Sequence, residues 1–321
     1  MSKYLDKIDY KILQYLDFNA RVPHTQIAKQ LKISKKSVEY RIKQLEKESV
    51  IQGYYSLVNI FKLGYIYGRI FMTLKDVSRQ EREEIIRHLQ NNKKILWLFE
   101  VHGKYDLGIV PLVKTHQEFK EVILELRNKF GSKIKKILES ITTKLYTTEY
   151  SFLEEYKKSN LLIYKDTQKE EIDTLDTQIL RLLAPDARIS LVELGFALNQ
   201  SPKTISYRIK QLEKKDIIQS YRIITDKSKF KLDYYKILIN LNSYTKDEYE
   251  KIKKYLLSYK NVIYFVEEIG LNFDLDFEIL TKSNEELYQL IEDLRYNFPN
   301  LIEEYEIVPL VRELKTNFFP F

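Results

Sequence analysis

Apolar residues recur at helical spacing from the start of the chain. Ile12, Leu13 and Leu16 share one face of a segment running from Asp9 to Leu16. Asn19-Ala20-Arg21-Val22-Pro23 breaks that pattern. A second helix is predicted over 25–31, with Ile27, Ala28 and Leu31 on one side, and Lys32-Ile33 forms a tight turn. Ser34 is placed to cap a third helix, since its hydroxyl can accept an orphan amide hydrogen bond. That helix runs to about Glu48. At about 100° per residue, Val38, Ile42 and Leu45 fall on one face and Lys36, Tyr40, Lys43 and Lys47 on the other. Residues 50–58 are β-branched and Tyr-rich, which predicts a strand or wing. Helix, turn, capped helix and wing is the plan of a winged helix-turn-helix.

The pattern then changes. Strands are predicted over 68–74, 95–101, 105–110 and 134–145, and helices over 78–89 and 119–130. Their order, βαββαβ, is that of a ferredoxin-like unit. His102-Gly103-Lys104 is a turn between the two middle strands.

The whole plan occurs twice. Tyr40-Arg41-Ile42-Lys43-Gln44-Leu45-Glu46-Lys47 returns as Tyr207-Arg208-Ile209-Lys210-Gln211-Leu212-Glu213-Lys214, 167 residues later. Asp176, Ile179, Leu180 and Leu183 match Asp9, Ile12, Leu13 and Leu16, and Ser201 matches Ser34. Ser190 to Glu193 is a capping-box pattern. A wing over 217–224 and strands and helices over 236–241, 246–257, 262–268, 273–279, 285–298 and 301–310 repeat the second unit. The fold class is therefore α+β: two copies of winged helix-turn-helix followed by βαββαβ. The expected domains are 1–60, 65–146, 172–228 and 233–321, with 147–171 as a joint. Tyr146 to Thr174 lacks Gly and Pro, so partly helical or extended structure is expected there rather than a flexible linker.

Composition narrows the classes. The 321 residues are 44% hydrophobic and 31% charged, which fits a soluble globular chain. No apolar run is long enough to span a bilayer and the start has no signal-peptide core, so a cytoplasmic protein without a membrane role is expected. The absence of cysteine excludes disulfides and thiolate metal sites. No metal-ligand cluster, phosphate loop or nucleophile arrangement is visible, and no cofactor is expected. A net charge of +7 permits a polyanionic partner, although a solvated lysine surface gives the same number.

Several motifs, read in order, resemble the Lrp/AsnC family of "feast/famine" transcription regulators. They are Leu5-Asp6, Asp9, Ile12-Leu13, Ala20-Arg21, Ile27-Ala28, Leu31, Ile33-Ser34, Val38, Arg41-Ile42, Leu45-Glu46, Val50-Ile51, Lys62-Leu63-Gly64-Tyr65 and Gly103-Lys104-Tyr105-Asp106. The resemblance implies double-stranded DNA as partner, pairing of βαββαβ units, and a small amino-acid-like effector. Members of the family normally carry one such unit per chain; here two are fused. The two units pair either within one chain or between chains, and the residues do not choose. Ser49 and Asp216 stand where the family usually has Gly, and Gly195 replaces Ala28, a helix-weakening change.

The expected DNA-facing residues are Lys35, Lys36, Ser37, Tyr40, Lys43, Gln44 and Lys47. In the second copy they are Lys203, Thr204, Ser206, Tyr207, Lys210, Gln211 and Lys214. Arg41 and Arg208 border the buried face and are expected to pair with an acid or a phosphate rather than to read bases. The resemblance places effector contacts at Gly103, Tyr105, Asp106, Gly270, Phe273 and Asp274. The competing view is that Gly permits a tight turn and Asp caps it. The alternative function is an enzyme, since siroheme decarboxylases share the plan in fused pairs. All four histidines, His24, His88, His102 and His116, lie in the first half.

Overall fold

The structure, a computed structural model, describes residues 5–150, 161–165, 168–317 and 319. The first helix-turn-helix comprises α1 (Lys7–Phe18), α2 (His24–Leu31) and α3 (Lys35–Lys47), followed by the wing β1 (Ile51–Val58). The second comprises α6 (Thr174–Leu183), α7 (Leu191–Leu198) and α8 (Pro202–Lys214), followed by β7 (Ile218–Thr225). The capping chemistry is as the side chains predict. Ser34 Oγ accepts from Ser37 N at 3.1 Å, Ser201 Oγ accepts from Thr204 N at 3.0 Å, and Ser190 and Glu193 close a capping box.

Both third helices end in a left-handed residue, Ser49 at φ 57° and Asp216 at φ 56°. Each end is closed by a backbone bond, from Val50 N to Leu45 O at 2.8 Å and from Ile217 N to Leu212 O at 2.9 Å. The turn needs this conformation whichever residue supplies it.

Gly195 is more than a weakened helix position. A Cβ there would lie 2.6 Å from the backbone oxygen of Gln200, which has folded back so that its N–H donates to Gly195 O. Helix propensity alone favours alanine at this site by about 1 kcal/mol. The clash reverses the sign: Gly195→Ala is expected to lower stability by about 1–3 kcal/mol in urea titrations.

The first ferredoxin-like unit contains β2 (Ile66–Leu74), α4 (Arg79–Asn91), β3 (Ile95–Val101), β4 (Leu107–Val113), α5 (His116–Phe130) and β5 (Ile134–Thr148). A short strand, β6 (Leu161–Lys165), pairs antiparallel with the end of β5. The joint is thus extended where it is described; residues 151–160, 166 and 167 lie outside the described set. The second unit contains β8 (Asp233–Leu241), α9 (Lys246–Ser258), β9 (Val262–Ile269), β10 (Leu275–Thr281), α10 (Asn284–Asn297) and β11 (Ile302–Thr316). β4 and β10 begin two residues later than periodicity suggests. Asp106 and Asp274 belong to the turns, because their carboxylates accept from Leu74 N and Leu241 N, each at 2.8 Å.

The two copies pair within the chain, through two sheets. The wings β1 and β7 form an antiparallel pair of their own. The other strands run β2-β4-β3-β11-β8-β10-β9-β5, and β5 returns to β2, so their order closes into a ring with β6 outside it. The seams are the long strands. β5 pairs with β2 of its own copy over 134–141 and with β9 of the other over 141–147. β11 does the same with β8 and then β3. On each strand one set of side chains faces the helices, as Ile70 and Met72 do, and the other faces the inside of the ring, as Phe71, Tyr234, Leu238 and Ile263 do.

Candidate nucleic-acid interface

Each third helix is seated by its apolar face. Val38, Ile42 and Leu45 are buried in α3, and Ile205, Ile209 and Leu212 in α8. The opposite faces are open. Lys36, Tyr40, Lys43 and Lys47 are exposed, and so are Lys203, Tyr207, Lys210 and Lys214. Tyr40 and Tyr207 are about 60% exposed, a cost in apolar surface that both copies bear at the same position (59% and 61%). Ser37, Gln44, Thr204, Ser206 and Gln211 are half-buried beside these faces. Lys35 is exposed but lies 3.3 Å from Glu39 on its own helix.

The arginines inside the repeated motif serve the fold. Arg41 Nη1 donates to Asp6 at 2.8 Å and to Asp9 at 2.7 Å, and Arg208 Nη1 reaches Asp173 at 2.6 Å. Each wing tyrosine ties down its own recognition helix: Tyr54 donates to Glu46 at 2.6 Å and Tyr221 to Glu213 at 2.5 Å.

The Ala-Arg motifs join the copies to each other. Arg21 donates to Ala187 O and Arg188 to Ala20 O, each at 2.8 Å. Backbone bonds from Ala20 N to Tyr221 O and from Ala187 N to Tyr54 O flank them at 2.7 and 3.0 Å. The guanidiniums cover the wing tyrosines of the opposite copy, Arg21 over Tyr221 and Arg188 over Tyr54. One sequence cannot announce such a cross-copy role, because the partner is 166 to 168 residues away.

One tie exists on a single side. Arg222 of β7 is fully buried and donates to Asp17 of α1 at 2.7 Å, to Thr147 at 3.1 Å, and stacks between Phe18 and Tyr150. Burial raises Asp17 despite Arg222, whereas Arg222 is held charged by Asp17 and nearby tyrosines although burial opposes it. The guanidinium keeps its proton in any case, and the short, charge-assisted contacts favour an ionised partner. The corresponding residues across the repeat are Tyr55 and Ala184.

The two DNA-facing modules differ in charge. Residues 5–52 carry ten basic and six acidic side chains, net +4; residues 172–219 carry seven and six, net +1. The difference sits largely beside the third helix. Gln26, Lys29 and Lys32 of the first copy correspond to Glu193, Phe196 and Asn199 of the second, and Phe196 is 92% exposed.

The Gly turns have structural occupations. Gly103 and Gly270 sit at φ 108° and 102°. Asp106 also accepts from Arg82 at 3.1 Å, and Asp274 from Tyr244 at 2.7 Å. Tyr105 is buried against Phe71, and Lys104 lies over the rings of Tyr105 and Phe273 while pairing with Glu306 at 2.8 Å.

The histidines are scattered. His24 lies 3.7 Å from Glu39, His88 lies 3.4 Å from Glu125, and His102 and His116 are exposed. Among the described residues no helix is long and apolar enough to cross a membrane.

Two winged modules with open basic helices, paired on a strand ring, define a DNA-binding protein of the winged helix-turn-helix class. The family described as winged helix-turn-helix DNA-binding matches residues 5–52 and again 172–219. The HTH-type transcriptional regulator LrpA of Pyrococcus horikoshii is 31% identical over 127 residues, 40% of this chain and 86% of that protein. The HTH-type transcriptional regulator Ptr1 of Methanocaldococcus jannaschii is 29% identical over 140 residues, 42% of this chain and 93% of that protein. Each of these relatives corresponds to less than half of this chain, as a duplicated plan requires. Over its full length the fold is similar to the crystal structure of the siroheme decarboxylase NirDL, with a TM-score of 0.66, 14% identity, and coverage of 98% of this chain and 94% of that one. The chain belongs to the Lrp/AsnC family of HTH-type transcriptional regulators, with the helix-turn-helix duplicated, and it is a DNA-binding transcription regulator of that type.

Proposed function

We propose that one chain reads two half-sites, doing alone what a symmetric dimer does with two. The observation that carries this is the antiparallel pairing of β1 with β7, reinforced by the reciprocal Arg21 and Arg188 ties. These fix both recognition helices to one body. Lys36, Ser37 and Tyr40, with Lys203, Thr204 and Tyr207, face base edges or the nearest phosphates. Lys43 and Lys47, with Lys210 and Lys214, meet the backbone further along. The second module, with Phe196 in place of a lysine, binds its half-site more weakly. A salt titration of DNA affinity tests the electrostatic part. Three lysine–phosphate contacts per module, from Lys36, Lys43 and Lys47 and from Lys203, Lys210 and Lys214, predict a slope of log K on log salt of about −5 for the whole chain. A flat salt dependence contradicts it.

This function has no catalytic step. The four histidines do not converge, and none lines the cavity between the wings and the strand ring. Titration with an iron uroporphyrin is expected to leave the pigment's absorption spectrum unchanged. A shifted spectrum with product formation would favour the enzyme reading.

A further inference from the structure

A cavity of about 360 Å³ lies between the paired wings and the strand ring. Tyr55 and Ile223 of the wings form part of one wall, and Tyr67, Trp97 and Tyr264 of the ring form part of the other. The size is that of sites for small organic molecules, and the lining is largely apolar with a few charged groups.

The charged groups are unusual for their position. Arg69 lines the cavity at 6% exposure and belongs to a cluster inside the ring with Lys236, Asp276, Glu278 and Glu268. Lys236 holds two of the acids closely, Asp276 at 2.5 Å and Glu278 at 2.9 Å, and Tyr234 donates to Glu278. Glu268 accepts from Ser140 at 2.5 Å. Arg69 is served less well. Its contacts to Asp276, Glu268 and Glu278 are 3.5, 3.7 and 3.7 Å, all longer than a good hydrogen bond. A guanidinium offers five donors in a planar fork that matches a carboxylate.

We propose that this cavity binds a small planar aromatic carboxylate, its ring among Tyr67, Trp97 and Tyr264 and its carboxylate on Arg69. Among the described residues two cations line the cavity: Lys227 is held by Glu313 at 3.2 Å, whereas Arg69 has no contact shorter than 3.5 Å, and its poorly used donors favour an anion over an amine. The apolar walls and the volume select a ring over an aliphatic chain or an inorganic ion.

Charge balance makes the proposal specific. Two cations and three carboxylates share the buried cluster, so it is neutral only when one acid holds a proton. Burial, opposed by Arg69 and reinforced by Asp276, raises Glu268 to about 7. The groups facing Glu268 are Arg69 from β2, Ser140 from β5, Lys236 from β8 and Asp276 from β10. An anion that draws Arg69 away raises the proton affinity of Glu268 further. Binding therefore takes up a proton, and affinity falls as pH rises through about 7. An amine would release a proton and show the opposite slope.

Because the wings form part of the cavity wall, an occupant also fixes their seating on the ring. Its effect on DNA affinity rests on the two-half-site reading; binding itself does not. The test uses the full chain and isothermal titration with benzoate, 4-hydroxybenzoate and indole-3-acetate, against benzamide and benzylamine. Titrations at pH 6 and pH 8, in buffers of different ionisation enthalpy, report the proton. The expected result is saturable 1:1 binding of a carboxylate with proton uptake, about three- to tenfold tighter at pH 6 than at pH 8, and none for the amide or amine. Arg69→Met should abolish it. Val110→Phe, which fills the cavity and leaves Arg69 in place, should abolish it as well. Absence of binding by all three carboxylates, tighter binding of benzylamine, or binding that survives both variants overturns the proposal. Carboxylate binding without any change in DNA affinity would leave the site standing and overturn only its coupling to the wings; the two half-sites are tested separately by footprinting.

Discussion

Asp17→Ala is expected to lower the stability of the chain by about 3–5 kcal/mol, the cost of leaving a buried arginine uncompensated. Arg222 has no exposure at all, and Asp17 accepts two of its N–H groups while also accepting from Tyr150 N at 2.9 Å. Removing the carboxylate strands the charge among Phe18, Tyr55 and Tyr150. The repeat supplies its own control, because the opposite side of the molecule manages with Ala184 and Tyr55. The double variant Asp17→Ala/Arg222→Tyr writes that arrangement into both sides. It is expected to recover most of the loss, since apolar replacement of a buried pair is often neutral or stabilising. Urea denaturation measures both. A loss below about 1 kcal/mol for Asp17→Ala would mean that the pair is not a principal tie between the copies.

The second large effect is on DNA. Lys36→Glu/Lys43→Glu is expected to weaken operator binding by about 100-fold or more and to make the salt slope shallower by about 2, one for each lysine that no longer meets a phosphate. Both lysines are exposed on α3 away from its buried stripe, so thermal stability should be unchanged. Lys203→Glu/Lys210→Glu should follow the same direction with a smaller loss. The second module has net charge +1 against +4, and Phe196 stands where the first has Lys29. Phe196→Lys is expected to narrow the difference. Equal losses from the two double variants would show that the flanking helices α2 and α7 do not set the relative strength of the half-sites.

Much of this architecture was legible in the residues. Val38/Ile42/Leu45 and Lys36/Tyr40/Lys43/Lys47 name the two faces of one helix, and the repeat doubles the inference. Helix caps were legible because Ser34, Ser190 and Ser201 act on neighbours within three residues. What depends on the distant copy was not. Arg21 and Arg188 read as motif residues, and only the folded chain shows that each reaches across to the other module. The ring interior was hidden for another reason. Asp276 and Glu278 alternate with Leu275, Phe277 and Ile279, which reads as a strand with one face in water. Closing the sheet covers that second face, and the same alternation becomes a buried charge cluster. The effector expectation at the Gly turns came from the resemblance, while the side chains of Asp106 and Asp274 are already engaged by backbone amides and by Arg82 and Tyr244.

The central claim is that one chain holds two working recognition helices. DNA selected from random pools by the full chain, then footprinted with hydroxyl radicals and weighed as an intact complex, tests it directly. The expected result is two related but non-identical half-sites about one helical turn apart, both protected, with one chain per duplex. Protection of a single half-site by one chain, or a need for two chains to protect the pair, would contradict it.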